Sequence, residues 1–245
     1  ESSETYTVHT RAVVLACGRH GAPTLGAKIT TPRTRNHARN SNVGIKCHFA
    51  NVSMPEQVEL YLFAGGYIGI NPVENGYFNV CALASYNAFG RAGRSPRTLI
   101  EAAEKWNPAF GERLQRARAL PATECAVAPV NTWRAPMPWN QVPQIGDSAA
   151  MIPPLCGDGM AMALRSAELC APVLAGYLCN AFSWREMGKQ YSRLWHNEFN
   201  QRLCMGRLLE TMLGAAPMAD FLLRVGATIP SVAEYLVRAT RGASN

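Results

Sequence analysis

The sequence is short of charge and has no local grouping of metal ligands, and each shortage excludes something. Charged residues make up 17% of the 245 positions, against 48% hydrophobic ones. A chain of this length and apolarity can bury a substantial core, as one large domain or two small ones. The eight cysteines contain no Cys-x-x-Cys pair, and Cys17-x-x-His20 and Cys47-His48 lack zinc-site spacing. His9, His20, His37, His48 and His196 form no ligand pattern, so no metal is expected. Several cysteines lie inside apolar runs such as Asn79-Val80-Cys81-Ala82-Leu83. Buried, reduced thiols in a cytoplasmic protein are therefore the expectation.

Long apolar runs are missing too. The most apolar helical stretch, Met160–Leu178, is interrupted by Arg165, Glu168 and Pro172, which argues against a membrane span. The first residues, Glu-Ser-Ser-Glu-Thr, are polar and show no signal peptide, and there is no initiator Met. The net charge of +7 favours an anionic partner. No Lys/Arg block with interleaved aromatics exists, so nucleic acid is not expected. Catalytic and nucleotide motifs fail as well. Gly21-Ala-Pro-Thr-Leu-Gly26-Ala27-Lys28 places its Lys one residue late for a phosphate loop, and no helix start follows. No Gly-x-Ser-x-Gly elbow exists, and Ser148 has no base near it in sequence.

What is present reads as α+β. Thr5–His9 and Arg11–Cys17 are predicted strands, followed by a turn at 17–21 and an exposed connection at 22–42. Ile45–Ala50, Val58–Ala64, Gly66–Asn71 and Tyr77–Ala84 are further predicted strands. Asn75-Gly76 marks a hairpin, so antiparallel pairing is expected. Ser95-Pro96 and Asn107-Pro108 open two helices, over Arg97–Trp106 and to about Ala117. Glu124–Pro129 and Val142–Ile145 are short strands, and the chain is helical from Asp158, with breaks near Ala181, Ala215 and Thr228-Ile229-Pro230. Trp184, Met187, Tyr191, Leu194, Trp195, Phe199 and Leu203 recur at helical spacing as a core-facing stripe.

One stretch asks for more than a fold. It is Gly146-Asp-Ser-Ala-Ala-Met-Ile-Pro-Pro154-Leu-Cys-Gly157-Asp-Gly159-Met160. A strand ends at a tight Gly-Asp turn, where Asp147 can accept a hydrogen bond from a sugar or polyol hydroxyl. Pro153-Pro154 stiffen the loop, and Gly157 and Gly159 let a planar ligand approach the backbone. The helix start then aims amide groups and the positive dipole end at the same space, which suits a partly anionic ring system. The helix that follows is apolar nearly all round and is expected to be buried, which would make the site rigid. An ordinary strand–loop–helix turn needs none of this.

These residues resemble the second flavin motif of FAD-dependent monooxygenases and reductases, a group that includes aromatic hydroxylases, geranylgeranyl reductases and flavin-dependent halogenases. Val13-Val14-Leu15-Ala16-Cys17-Gly18-Arg19-His20-Gly21 is similar to the family's Asp-Gly segment, with Cys17 in place of the Asp and Gly21 in place of the Ser. Tyr67–Leu83 looks like the family's substrate-domain hairpin. The resemblance implies part of a FAD-binding Rossmann-like domain, an antiparallel β-sheet substrate domain and a C-terminal helical region. Segments 1–42 and 136–180 would belong to the FAD-binding part, 43–135 to the substrate domain, and 181–245 to the helical region. FAD would be held by Gly18, Gly146, Asp147, Pro154, Gly157, Gly159 and Met160, with Asp147 on the ribityl chain. NAD(P)H would be the electron donor, which the loss of the Asp at Cys17 puts in question. No catalytic acid or base is assigned, and Tyr61, Tyr67, Asn71, Glu74 and Asn79 lie on the sheet without an assigned face.

The family's Gly-x-Gly-x-x-Gly unit has no counterpart here. Gly157-Asp158-Gly159 has Met162 where the third glycine would fall. A C-terminal part of a longer protein, or a reduced relative that holds FAD poorly, is the expectation. Trp133-Arg-Ala-Pro-Met-Pro-Trp139 does not match the Trp-x-Trp-x-Ile-Pro segment of halogenases, so hydroxylation or reduction of a small or medium-sized hydrophobic molecule is preferred. A second reading is a binding module without catalysis. Its basic tail would carry Arg185, Lys189, Arg193, Arg202 and Arg207, with Trp184, Trp195 and Phe199 resting on a membrane surface or a partner. The oligomeric state is not legible.

Overall fold

The computed structural model describes residues 7–20, 41–214 and 216–240. The predicted connection at 22–42 lies outside the described residues as far as 40, as do Thr5, Tyr6 and the Gly21–Lys28 stretch. Two compact units are present. One gathers the N-terminal segment, 133–206 and the residues from 236; the other holds the rest of the chain to 132 and 207–235.

The second unit is built on an antiparallel sheet. Strands β1 (Asn42–Ala50), β2 (Glu59–Phe63), β3 (Gly66–Pro72) and β4 (Phe78–Ser85) lie in the order β2-β3-β4-β1. Alternation decides which face is covered. Val43, Ile45, Cys47 and Phe49 of β1, Ile68 and Ile70 of β3, and Val80, Ala82 and Ala84 of β4 form one buried cluster. The helices α1 (Tyr86–Arg91), α2 (Pro96–Trp106) and α3 (Pro108–Leu114) follow, and Leu99, Ile100, Ala103, Phe110 and Leu114 join that cluster. The Asn75-Gly76 hairpin is present as expected: both residues have positive φ, and Pro72 pairs with Phe78 across it. Helix α2 opens on a full capping box at Ser95 and Thr98 with Pro96 in its first turn.

The short α1 has no counterpart among the predicted elements. Six residues are too few to show a helical period; the start is set by the Ser85 side chain, which accepts from the Ala88 amide. Strands β5 (Arg118–Ala119) and β6 (Cys125–Val130) both pair with β1. Tyr61 is on the helix-covered side, where its hydroxyl meets Glu59 and Arg113 binds the Glu59 carboxylate through two nitrogens at 2.8 Å. By register, Tyr67, Asn71 and Asn79 lie on the opposite side.

Glu210 belongs to the same unit. The Thr132 hydroxyl donates to it at 2.6 Å, and Arg207 donates to the Thr132 carbonyl at 2.9 Å. Burial pushes the Glu210 carboxyl above its ordinary value, against the lowering effects of Thr132 and Arg207. A raised acid favours folding below the ordinary glutamate value, and this contribution is lost as pH rises through the folded value. Glu210→Gln is therefore expected to gain on the wild type in thermal melts as the pH moves from acid to neutral. A stability difference that stays flat over that range contradicts this.

The first unit begins differently from its predicted strands. Residues 7–14 form no strand, and Leu15 makes a single parallel bridge to Gln144, with Leu15 N–H donating to Pro143 and Ile145 N–H donating to Leu15. Within the described residues, one bridge is too little for a ladder. Strands β7 (Trp139–Asn140) and β8 (Val142–Pro143) form a small ribbon. Helices α4 (Gly159–Leu178), α5 (Trp184–Gly214), α6 (Ala216–Thr228) and α7 (Pro230–Thr240) break where the sequence predicts.

The predicted stripe of α5 is core except at Leu194, which is 37% exposed, and Trp184, which is half-buried. Met187, Tyr191, Trp195, Phe199 and Leu203 are 0–2% exposed and pack with Met162, Cys170 and Val173 of α4. Glycine in a helix interior is unfavourable by about 1 kcal/mol relative to alanine, so its presence needs a reason. A Cβ on Gly188 would come within 2.4 Å of the Trp139 ring. One on Gly206 would meet Cys156 Sγ at 3.0 Å and Pro153 at 3.1 Å. These two positions let Trp139 and the 153–156 loop sit directly on α5.

Helix α4 corrects one expectation. It is buried along one side only, with Met160 84% and Leu164 75% exposed. Its partners, α5 and the 146–152 segment, cover one side and leave the other uncovered by described residues.

Candidate functional site

The 146–160 stretch is tied down at each end by side chains distant in sequence. Gly146 has φ 59°, and a Cβ there would meet the Ala163 Cβ at 3.1 Å, so conformation and packing on α4 both favour glycine. Its N–H donates to Ser166 Oγ at 2.8 Å, and Ser166 donates in turn to the Ala163 carbonyl at 2.8 Å. Residues 146–148 then make one tight helical turn. The buried Tyr191 hydroxyl donates to the Gln144 carbonyl at 2.8 Å, fixing the approach to that turn on α5.

Arg134 clamps the turn. Its Nη2 donates to the carbonyls of Asp147 at 2.6 Å and Ser148 at 2.7 Å. Burial lowers the Arg134 pKa, and Asp147 acts against this. Burial likewise raises the Asp147 carboxyl, with Arg134 and Arg19 pulling the other way. Ser148 is fully buried. Its hydroxyl points at the Gly18 carbonyl, 3.2 Å away, and at the Cys17 thiol, 3.8 Å away. The Gly18 segment and the Asp147 turn, far apart in sequence, therefore meet.

Pro154 is exposed and starts a short turn to Cys156, closed by Gly157 in the left-handed conformation at φ 68°. Asp158 caps α4 by position, and Gly159 and Met160 open the helix. A Cβ on Gly18 or Gly157 would meet nothing within 4 Å, and one on Gly159 would reach only Ile152 at 4.0 Å. At each of these three glycines a side chain would meet little or nothing of the described residues. Gly18 and Gly157 are held to glycine by positive φ, but nothing in the described fold requires it at 159. An exposed backbone ledge beside a half-buried carboxyl and a helix start suits a flat ligand with an electron-rich edge.

Of the residues singled out in the sequence, Gly18, Gly146 and Asp147 come together at one turn, and Pro154, Gly157, Gly159 and Met160 line the neighbouring loop and helix start. Arg134, Ser166 and Tyr191 were missed as supports. Arg134 lies in the very segment set aside for failing the halogenase pattern. The tail reading needs correction: Trp195 and Phe199 are 1% and 0% exposed, and Trp184 donates to the Gln141 carbonyl, so these aromatics form no membrane-facing side on α5. Arg202 is 12% exposed and ion-paired, and Arg207 is bonded to Thr132. All eight thiols are free, and no described helix is long and apolar enough to cross a membrane.

No family model and no curated protein matches the chain. Solved structures do. The flavin-dependent brominase Bmp2 aligns over 98% of this chain with a TM-score of 0.68 and 12% identity. PqsL, a probable FAD-dependent monooxygenase from Pseudomonas aeruginosa, aligns over 86% at 0.58 and 16%. A geranylgeranyl bacteriochlorophyll reductase-like protein from Thermoplasma acidophilum aligns over 82% at 0.60 and 20%. The chain spans 59%, 59% and 55% of these three proteins. The likeness is one of fold: an α+β chain with the architecture of part of these flavoenzymes.

Proposed function

We propose that the ledge formed by Gly18, Gly157, Gly159 and the start of α4 holds the isoalloxazine ring of FAD, with Asp147 accepting a hydrogen bond from the ribityl chain. The chain then works as, or within, an FAD-dependent oxidoreductase of monooxygenase or reductase type. The observation that carries this is the glycine at 159, where the described fold has room for a side chain and the sequence has none. Bound FAD would supply the electron transfer. The chain's own part is to orient the ring on a rigid turn and to present helix-start amides to its electron-rich edge. A small or medium-sized hydrophobic molecule is the proposed substrate, NAD(P)H the proposed electron donor and the cytoplasm the proposed location. The fold is shared with a brominase as well as with a monooxygenase and a reductase, so fold alone does not favour halogenation.

Titrating FAD into the purified chain, followed by visible absorption, is expected to give a saturable change that Asp147→Ala weakens by about tenfold, as for a lost hydrogen bond of ~1–1.5 kcal/mol. The absence of any saturable change contradicts the reading. Gly159 separates ligand from fold. Gly159→Ala is expected to keep or slightly raise the melting temperature. Gly159→Val is expected to fold yet bind FAD at least about tenfold more weakly, since steric overlap costs ~1–3 kcal/mol. Equal FAD affinity in Gly159→Val would place the ring elsewhere.

A further inference from the structure

Most ring contacts among the described residues include a phenylalanine or a histidine. Tyr61 lies on Phe110, Phe63 on Trp106, and Trp195 on Phe199 and His196. One run differs. The ring centres of Trp139 and Trp184 are 5.0 Å apart, and those of Trp184 and Tyr177 are 4.8 Å apart. Three oxidisable rings therefore touch in series, from β7, the first residue of α5 and the last turn of α4. Packing alone asks only for apolar rings here, and phenylalanine serves that purpose at the other contacts. The run has an inner and an outer end. Trp139 lies against the α5 backbone at Gly188. Tyr177 is half-buried, its hydroxyl donates to the Arg11 carbonyl at 3.3 Å in an exposed position, and the Arg11 guanidinium lies 6.0 Å from its ring centre.

We propose that Trp139, Trp184 and Tyr177 form a radical-transfer path that carries one oxidising equivalent to the surface of the first unit. The inference goes beyond the flavin reading and does not depend on it. A one-electron oxidant of the azidyl or oxygen-radical class removes an electron from either indole. An electron from Trp184 refills Trp139, and one from Tyr177 refills Trp184. Protons decide where the vacancy stops. The Trp184 indole N–H donates to the Gln141 carbonyl at 2.8 Å. A carbonyl is too weak a base to take that proton, so oxidised Trp184 stays a strongly oxidising cation and passes the vacancy on. Tyr177 gives up its phenolic proton to water together with its electron. The Arg11 charge disfavours a positive ring beside it, so a neutral tyrosyl radical is the end point. A thiol or ascorbate in solution returns the electron and the proton. Tyr191 cannot take this part. It is fully buried, its hydroxyl is tied to the Gln144 carbonyl, and burial raises its pKa, so its proton has no exit.

The test uses the full 245-residue chain and azidyl radicals made by pulse radiolysis, which oxidise tryptophan. Transient absorption follows the tryptophanyl and tyrosyl radicals. In the unaltered chain the tryptophanyl signal converts to tyrosyl in a first-order phase whose rate does not depend on protein concentration. Tyr177→Phe keeps the ring and loses most of that phase. Tyr235→Phe leaves it unchanged, since Tyr235 is 62% exposed and has no ring contact among the described residues. Trp184→Phe also loses most of the phase, whereas Trp184→Tyr, which is smaller than tryptophan but oxidisable, restores it. A merely structural Trp184 would give the same result with phenylalanine as with tyrosine, and that outcome overturns the proposal. Should the Trp184 variants not fold, Tyr177→Phe decides alone, because it removes only a half-exposed hydroxyl. A phase that Tyr177→Phe leaves intact, or an unaltered chain that shows no such phase, overturns the proposal.

Discussion

Replacing Arg134 by methionine is expected to destabilise the first unit by roughly 2–4 kcal/mol, because charge-assisted hydrogen bonds contribute ~1.5–3 kcal/mol each. Two carbonyls, those of Asp147 and Ser148, accept from one half-buried guanidinium nitrogen. Methionine fills similar space but donates nothing, so both oxygens lose their partner where water reaches them poorly. The opposing effect is desolvation: burial lowers the Arg134 pKa, so the charged form is held at some disadvantage. The two bonds win because the nearby Asp147 carboxyl offsets part of that disadvantage. Denaturant unfolding followed by tryptophan fluorescence would measure the difference. A loss under about 1 kcal/mol would mean that the turn is held by the backbone and Ser166 alone.

Phe199→Ala is expected to lower stability by about 3–5 kcal/mol, the range for a large aromatic lost from a packed interior. Phe199 is fully buried, its ring lies 5.0 Å from that of Trp195, and both belong to the cluster that seats α4. Trp195→Phe is expected to differ sharply from it, with a loss under about 1.5 kcal/mol. The Trp195 indole N–H is buried without a hydrogen-bond partner among the described residues, and removing such a donor returns ~1–3 kcal/mol against the smaller volume. Equal losses in the two variants would mean that ring volume alone decides.

The β-meander could be read because alternation and the Asn75-Gly76 turn act over a few residues, and α2 because Ser95-Pro96 is a local start signal. The stripe of α5 was legible for the same reason: a period of 3.6 repeats often enough to be counted. What stayed hidden depends on pairs far apart in the chain. Leu15 looks like part of a full strand, but strand length depends on neighbours that no local pattern supplies. The apolar α4 reads as buried all round, since composition cannot say how many sides find a partner. At the site, Gly146, Asp147, Gly157 and Gly159 were visible as glycines and an acid around a helix start. The roles of Arg134 and Tyr191 at the turn carry no local sign; each acts on residues thirteen or more positions away.

The most direct test of the central claim is amide hydrogen exchange of the whole chain with and without FAD. The ledge should be where the ligand leaves its mark. Slowed exchange confined mainly to residues 146–149 and 157–162, together with the Gly18 segment, is the expected result. FAD-dependent protection that falls on the β1–β4 sheet, with residues 157–162 unchanged, would contradict the account.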